Sequence, residues 1–225
     1  MKSSLSGRPS LKSTERPKPR LLNYIGQLRL YSAADLLLLL VAAGVGGAAL
    51  VGALGLWFGF LVFLEWTHQD RGRLKWHWSV WASLWALAAV QVGALAWAAF
   101  AMVSWLYAQK KRLSWLSPAS WIVNGGVKVA LLLAAGVRSI PLLAGVWVVM
   151  AARNLAGDFR DVRKDGDDGV RSLPILLGVR QDVRWIYPLF LACSSFLWWW
   201  MADLPVAVLA VAYLTQMFTY GLTPR

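Results

Sequence analysis

The sequence predicts an all-α fold, a polytopic transmembrane bundle of about eight helices. Of the 225 residues, 58% are apolar and 15% are charged, whereas soluble domains carry about 25% charged residues. Two long apolar runs cover residues 33–66, where Asp35 and Glu65 are the only charged residues, and residues 76–107, where none is charged. Since a spanning helix needs ~20 apolar residues, each run holds either one long tilted helix or a pair of short ones.

These runs and the later part of the chain divide into eight apolar segments. They lie at about residues 33–50, 51–66, 76–91, 92–107, 117–137, 140–156, 185–201 and 204–221. The division of the first two runs requires tight turns, and glycine accepts the backbone dihedrals of such turns. The turns are therefore expected at Gly44, Gly46, Gly47 or Gly52, and near Gln91 and Gly93.

The basic residues favour pairing the first four segments as two hairpins. Lys and Arg in short loops mark the cytoplasmic side of a membrane. With a cytoplasmic N-terminus, the paired arrangement keeps the basic loops at residues 71–75, 110–112 and 153–184 on that side and leaves Arg138 outside. Two single helices would instead export residues 71–75. The sequence thus predicts an integral membrane protein, with a bacterial inner membrane as the expected location and the loop after the sixth segment in the cytoplasm.

Residues 1–30 have the composition of a flexible basic cytoplasmic tail, and residues 31–225 that of the transmembrane helical domain. The tail holds seven Lys or Arg, three Pro and one acid, Glu15. A cleaved signal peptide is disfavoured because the following apolar stretch is far longer than the about 7–15 residues of an h-region, whereas composition leaves an organelle transit peptide open. The formal charge of +12 is typical of contact with anionic membrane lipid, and no nucleic-acid-binding signature accompanies it.

Disulfide and zinc chemistry are disfavoured by the few residues that could carry them. Cys193 is the only cysteine, so no internal disulfide can form. His68 and His77 have no Cys-x-x-Cys or His-x-x-Glu partner, so a zinc site is not expected. The fifteen Trp predict interfacial belts and leave room for a hydrophobic partner.

The most acidic stretch of the chain follows the sixth apolar segment. Asp158, Asp161 and Asp165 are spaced i, i+3 and i+7, which places them on one face of a continuing helix. Converging carboxylates repel one another unless a cation compensates. Magnesium suits such a site because it takes carboxylate oxygens and completes its octahedron with water and substrate phosphate. The alternative is a solvated loop whose acids pair with neighbouring basic side chains, those of Arg153, Arg160, Arg163 and Lys164.

This loop resembles the second aspartate motif of the UbiA superfamily of intramembrane prenyltransferases. That motif reads D-x-x-D-x-x-x-D-x-x-x-G, followed by a basic residue and T-L-P. The chain has the corresponding residues Asp158, Asp161, Asp165, Gly169 and Arg171, then Ser172-Leu173-Pro174 with serine for threonine. The family often has Y-x-x-x-K-R at the end of the fourth helix, which Tyr107, Lys111 and Arg112 match. The two matches cover about residues 105–185.

The first aspartate motif of that family is degenerate in this chain. The family has N-D-x-x-D-x-x-x-D between helices two and three, and the corresponding residues 64–73 read LEWTHQDRGR. Glu65 and Asp70 are the carboxylates left there as further metal-ligand candidates. The family usually has nine helices, one more than the eight segments of this chain.

The resemblance implies a UbiA-like bundle that transfers a prenyl group from an isoprenoid diphosphate to a lipophilic acceptor, with Mg²⁺ as cofactor. It places Asp161 and Asp165 as the catalytic pair and Asp158 as a further metal ligand or a neighbour of the metal. It implies diphosphate contacts from Lys111, Arg112 and Arg171, and a hydrogen bond from Tyr107.

Lys128 is a further candidate for substrate binding, on different grounds. An ammonium in the middle of an apolar segment costs at least ~2.5 kcal/mol and usually faces an interior site. A lysine near a helix end that extends to the membrane surface is the alternative. The acceptor itself cannot be read from the sequence, because users of aromatic acids, quinols, tetrapyrroles and glycerol lipids share these motifs.

A second function class also fits the sequence. A chain with the second motif but a degenerate first one is expected if the protein is a non-catalytic subunit of a larger membrane complex. Such a subunit would hold a lipid, a quinone or a pigment, and its partners would be other membrane proteins. An unrelated transporter is a third, weaker alternative.

Overall fold

The computed structural model describes residues 20–67 and 76–222. Over these ranges the backbone forms eleven α-helices and no strand, so the predicted all-α class is confirmed. The helices are α1 Arg20–Gln27, α2 Leu30–Ala42, α3 Gly47–Thr67, α4 Trp78–Val92, α5 Ala94–Ala108, α6 Ser120–Ala134, α7 Ile140–Arg160, α8 Val162–Asp167, α9 Leu173–Leu176, α10 Ile186–Met201 and α11 Val206–Tyr220. Short 3₁₀ turns at Gln109–Lys111 and Ser117–Ala119 lie between α5 and α6.

Three of these helical segments are long and apolar enough to cross a membrane. They are α3, α7 and the segment Ser117–Ala134 that contains α6. Helices α2, α4, α5, α10 and α11 are apolar but shorter. Large apolar side chains also point outward, with Leu95 87% and Val90 83% exposed, as expected of a surface that faces lipid. Membrane-spanning character is therefore supported, while the count of eight spanning helices stays a prediction.

The predicted turns within the two long apolar runs are confirmed. Helix α2 ends at Ala42 and α3 begins at Gly47, and the turn uses positive φ angles of 72° at Gly44 and 54° at Gly47. Helix α4 ends at Val92, and Gly93 has a φ of 83° directly before α5. L-residues with a Cβ rarely adopt such angles, so these glycines permit each run to fold back as a helical hairpin.

Close packing between neighbouring helices depends on small residues. Helix α3 packs against α4, α5 against α6, and α6 against α7, while α2 packs against α10 and α11. A Cβ atom added at Gly125 of α6 would lie 2.7 Å from the carbonyl oxygen of Trp147 in α7. That approach is closer than van der Waals contact, so only glycine lets the two backbones meet there.

Several polar contacts bring one set of helix ends together. They join Arg29 to Glu65, Lys110 to Asp158, and the ring of Tyr31 to those of Tyr187 and Tyr220. The starts of α2 and α10 and the ends of α3, α5, α7 and α11 consequently lie at the same end of the bundle. We call this the polar end, and it contains the candidate site residues that the structure describes except Lys128, which lies within α6.

A labelling experiment tests whether the polar end faces a single side of the membrane. Arg138 lies in the turn between α6 and α7, whereas Arg171 lies in the loop before α9 at the polar end. In a Cys193→Ser background, Arg138→Cys should react with a membrane-impermeant maleimide from the outside and Arg171→Cys only after the membrane is opened. Labelling of both from the outside would contradict the predicted topology.

The predicted basic loop at residues 71–75 lies outside the described residues.

Candidate functional site

The acidic loop folds as two helices rather than one. Helix α7 ends at Arg160, Asp161 leaves the helical conformation with φ −107° and ψ 21°, and α8 begins at Val162. The single continuing helix predicted from the spacing of the aspartates is therefore wrong at Asp161. Asp158 and Asp165 are buried, with 5% and 9% of their surface exposed, and Asp161 is half-buried. The third aspartate, Asp165, follows this break in α8, so the three aspartates do not share the face of one helix.

Asp161 already has a cationic partner on the neighbouring residue. The Nε of Arg160 donates a hydrogen bond of 2.8 Å to Oδ1 of Asp161, and its Nη2 pairs with Oδ2. The same guanidinium stacks over the ring of Tyr187 at 4.5 Å. Burial of Asp161 favours its neutral form, but the hydrogen bond and charge of Arg160 outweigh burial and lower the pKa of the carboxyl. The alternative prediction that the loop acids pair with basic neighbours is confirmed for this pair.

Asp158 is only partly compensated. Its Oδ1 lies 3.8 Å from Nζ of Lys110, and its Oδ2 has no hydrogen-bond partner within the described ranges. Lys110 also lies 5.2 Å from the ring centre of Tyr107. Burial disfavours the Lys110 ammonium, but the interactions with Tyr107, Asp158 and Asp165 outweigh burial and raise its pKa. Lys110, which the motif match did not single out, thus lies against Asp158.

The carboxylates of this loop suit a magnesium ion that is held jointly with a substrate phosphate. Among the described residues, no group of three or more His, Cys, Asp or Glu side chains is arranged to hold a metal. Asp158 and Asp165 do lie close enough for their charges to interact. Magnesium is commonly held by one or two carboxylates together with substrate phosphate oxygens. The unpartnered Oδ2 of buried Asp158 therefore fits such a cation, whereas Asp161 would first have to leave Arg160.

The remaining predicted site residues are exposed, already paired with a cation, or outside the described residues. Arg112 and Arg171 are exposed at the polar end. Glu65 is buried and lies 3.2 Å from Nη2 of Arg29, so a cation already balances it. Asp70 and the side chain of Lys111 lie outside the described residues.

A small cavity adjoins the acidic loop inside the bundle. Its volume is about 50 Å³, and its lining includes Tyr107 and Lys128, two of the predicted substrate-binding residues. The hydroxyl of Tyr107 donates a hydrogen bond of 3.1 Å to Oδ1 of Asn154, which also lines the cavity. Lys128 is 1% exposed, and its Nζ lies over the ring of Trp57. The lysine therefore faces an interior site, as its position within an apolar segment predicts.

A buried polar network, which sequence reasoning missed, shares Arg153 with the lining of this cavity. Arg153 of α7 forms an ion pair with Asp35 of α2, so the proposed pairing of Arg153 with the loop acids is wrong. Ser194 and Ser195 donate hydrogen bonds of 2.7 and 2.9 Å to Oδ1 of Asp35, and Gln216 donates one of 2.6 Å to Ser195. The network joins α2, α7, α10 and α11. The sequence feature that could have indicated this network is Asp35, a charged residue inside an apolar run. Such a residue usually pairs with another polar group inside the bundle.

Comparison of the chain with protein families, with curated proteins and with solved structures gave no match. The proposals that follow therefore rest on the residues and their geometry, together with the motif resemblance.

Proposed function

We propose that the protein is an intramembrane prenyltransferase that moves an isoprenoid group from a prenyl diphosphate to a lipophilic acceptor. The observation that supports this most directly is the buried carboxylate of Asp158, whose Oδ2 has no partner in the described structure. Leaving a buried charge incompletely paired is costly. Together with Asp165, which also interacts with Lys110, it forms a mixed acidic and basic edge of the kind that a metal-bound diphosphate needs.

Each group at the polar end has a role in this proposal. Asp158 and Asp165 would hold Mg²⁺, which when bound supplies the positive charge that stabilises the leaving diphosphate. Lys110 would donate to diphosphate oxygens from the opposite side, and the exposed Arg112 and Arg171 would add charge at the entrance. Tyr107 connects this edge to the cavity because it contacts Lys110 and binds Asn154.

The reaction itself needs an apolar interior. The bond between the prenyl carbon and the diphosphate oxygen breaks with its electron pair on oxygen, and an electron pair of the acceptor forms the new bond to that carbon. The acceptor then releases a proton. Phe60 lies 5.9 Å from the ring of Tyr107 and 6.2 Å from that of Phe100, and aromatic faces stabilise an allylic cation while they exclude water.

An assay of diphosphate consumption tests the proposal. Purified protein in lipid would be incubated with geranyl, farnesyl or geranylgeranyl diphosphate, a membrane extract and magnesium, and products read by mass spectrometry. We expect one diphosphate to be consumed with formation of a prenylated lipid, and chelation of the metal to stop it. If no diphosphate is lost with any extract, the enzyme proposal fails.

The second candidate function is a non-catalytic subunit of a larger membrane complex. It is favoured by the pairing of Asp161 with Arg160 and of Glu65 with Arg29, because both carboxylates would otherwise be available to a metal. Purification in a mild detergent separates the two candidates. A stoichiometric protein partner without diphosphate consumption supports the subunit, and consumption by the purified chain alone supports the enzyme.

A further inference from the structure

Three hydrogen-bond donors around the cavity have no acceptor. Nζ of Lys128, Nδ2 of Asn154 and Nε1 of Trp57 are buried and make no hydrogen bond within the described part of the chain, and all three residues line the same cavity. An ammonium, an amide nitrogen and an indole nitrogen can donate hydrogen bonds but cannot accept them. Each of the three groups therefore lacks a hydrogen-bond acceptor, and this cavity is the space that their residues line in common.

Lys128 also differs from the two arginines that line the cavity in having no carboxylate partner among the described residues. Arg29 and Arg153 line it as well, but each has a carboxylate partner, Glu65 and Asp35 respectively. No such partner is found for Lys128 among the described residues. A buried ammonium without a counter-ion is strongly disfavoured. One negative charge in the cavity would satisfy Lys128 and complete the pairing of the three cations.

The size of the cavity restricts the group that carries this charge. About 50 Å³ exceeds the roughly 10–15 Å³ that a single water needs on the same kind of measure, and it is too small for a lipid tail. A carboxylate or a single phosphate group has the oxygens to accept from several donors at once. Bound water would accept the hydrogen bonds, but only an anion would also stabilise the charged form of Lys128.

We propose that this cavity is a metal-independent binding site for one compact oxyanion, held by hydrogen bonds from Lys128, Asn154 and Trp57. The site itself does not depend on the proposed function. Its assignment to the prenyl donor or to the acceptor does rest on that function. Three sources share the chemistry: one phosphate group of the prenyl donor's diphosphate, a carboxylate on the acceptor, and the phosphate of a lipid head group. Because Tyr107 holds the carbonyl oxygen of the Asn154 side chain, the amide group is oriented before the ligand binds.

The test measures binding without metal and without turnover. The full chain in neutral detergent with excess chelator would be titrated by calorimetry with pyrophosphate, with benzoate, and with a short-chain phosphatidylglycerol, one probe at a time. We expect one of the three to bind with one-to-one stoichiometry, and the probe that binds identifies the source. Lys128→Met should weaken that binding by about tenfold or more, because hydrogen bonds to charged groups contribute most.

Matched variants separate the cavity from general effects of charge and of tryptophan. Arg138→Met removes an exposed cation at the other end of the bundle, and it should leave binding unchanged. Trp57→Phe and Trp198→Phe each remove a buried indole N–H that has no partner, but only Trp57 lines the cavity. We expect Trp57→Phe to weaken binding severalfold and Trp198→Phe to have no effect. If Lys128→Met does not fold, the comparison of these two tryptophan variants tests the proposal instead.

The outcomes distinguish this inference from the proposed function. Absence of binding by all three probes, or equal affinity in wild type and in both Lys128→Met and Trp57→Phe, would overturn the oxyanion site even if prenyl transfer is observed. Metal-independent binding that depends on Lys128 and Trp57 supports the site even if no diphosphate is ever consumed, in which case only the enzyme proposal fails.

Discussion

Asp158→Asn and Asp165→Asn are each expected to lower the rate of prenyl transfer ~100-fold or more. Each substitution keeps the size of the side chain but removes a negative charge from the edge that faces Lys110. Loss of one electrostatic contact to a transition state commonly costs about 3 kcal/mol, and each 1.36 kcal/mol is a factor of ten in rate. The measurement is the initial rate of diphosphate consumption at saturating magnesium.

Two other aspartates of the same loop give this prediction its control. Asp168 is exposed directly after α8 and occupies an unspecified position of the motif, so Asp168→Asn should change the rate by less than about twofold. Asp161→Asn removes the partner of Arg160, and a ~100-fold loss would mean that Asp161 exchanges Arg160 for the metal during turnover. A wild-type rate in Asp165→Asn would contradict the assignment of the metal to this loop.

The helices could be predicted because their signals are local. Apolar length, glycine at the turns and the composition of the loops each depend on neighbouring residues. Helices α3 to α5 begin and end close to the predicted positions, whereas α2 ends at Ala42, well before the predicted end at residue 50. The break at Asp161 was not predicted because the i, i+3, i+7 spacing assumes an uninterrupted helix. Stacking of Arg160 on Tyr187 and Tyr220 holds the chain at that point, and both rings belong to helices later in the sequence.

The interior of the candidate site was predicted only in part. Lys128 was identified because a charge in an apolar segment is informative by itself. Its neighbours were not, since Trp57 and Asn154 belong to α3 and α7 and are ordinary residues in sequence. Asp35 and Arg153 are separated by 118 positions, and no periodicity connects residues so far apart. Lys110 was missed because the motif match singled out Lys111, and its contact with Asp158 joins positions far apart in the sequence.

Asp35→Leu is expected to destabilise the fold by about 3–5 kcal/mol, the usual cost of removing one partner from a buried ion pair. It leaves Arg153 without its carboxylate beside the Lys128 ammonium, and it removes the acceptor of Ser194 and Ser195. The double variant Asp35→Leu with Arg153→Met should recover most of the loss, because no unpaired charge then remains at that pair. Asp203→Asn, an exposed acid in the turn before α11, should change stability by less than about 0.5 kcal/mol. Reversible unfolding in mixed micelles measures all three, and a single Asp35→Leu variant as stable as wild type would show that this pair does not hold α2 against α7.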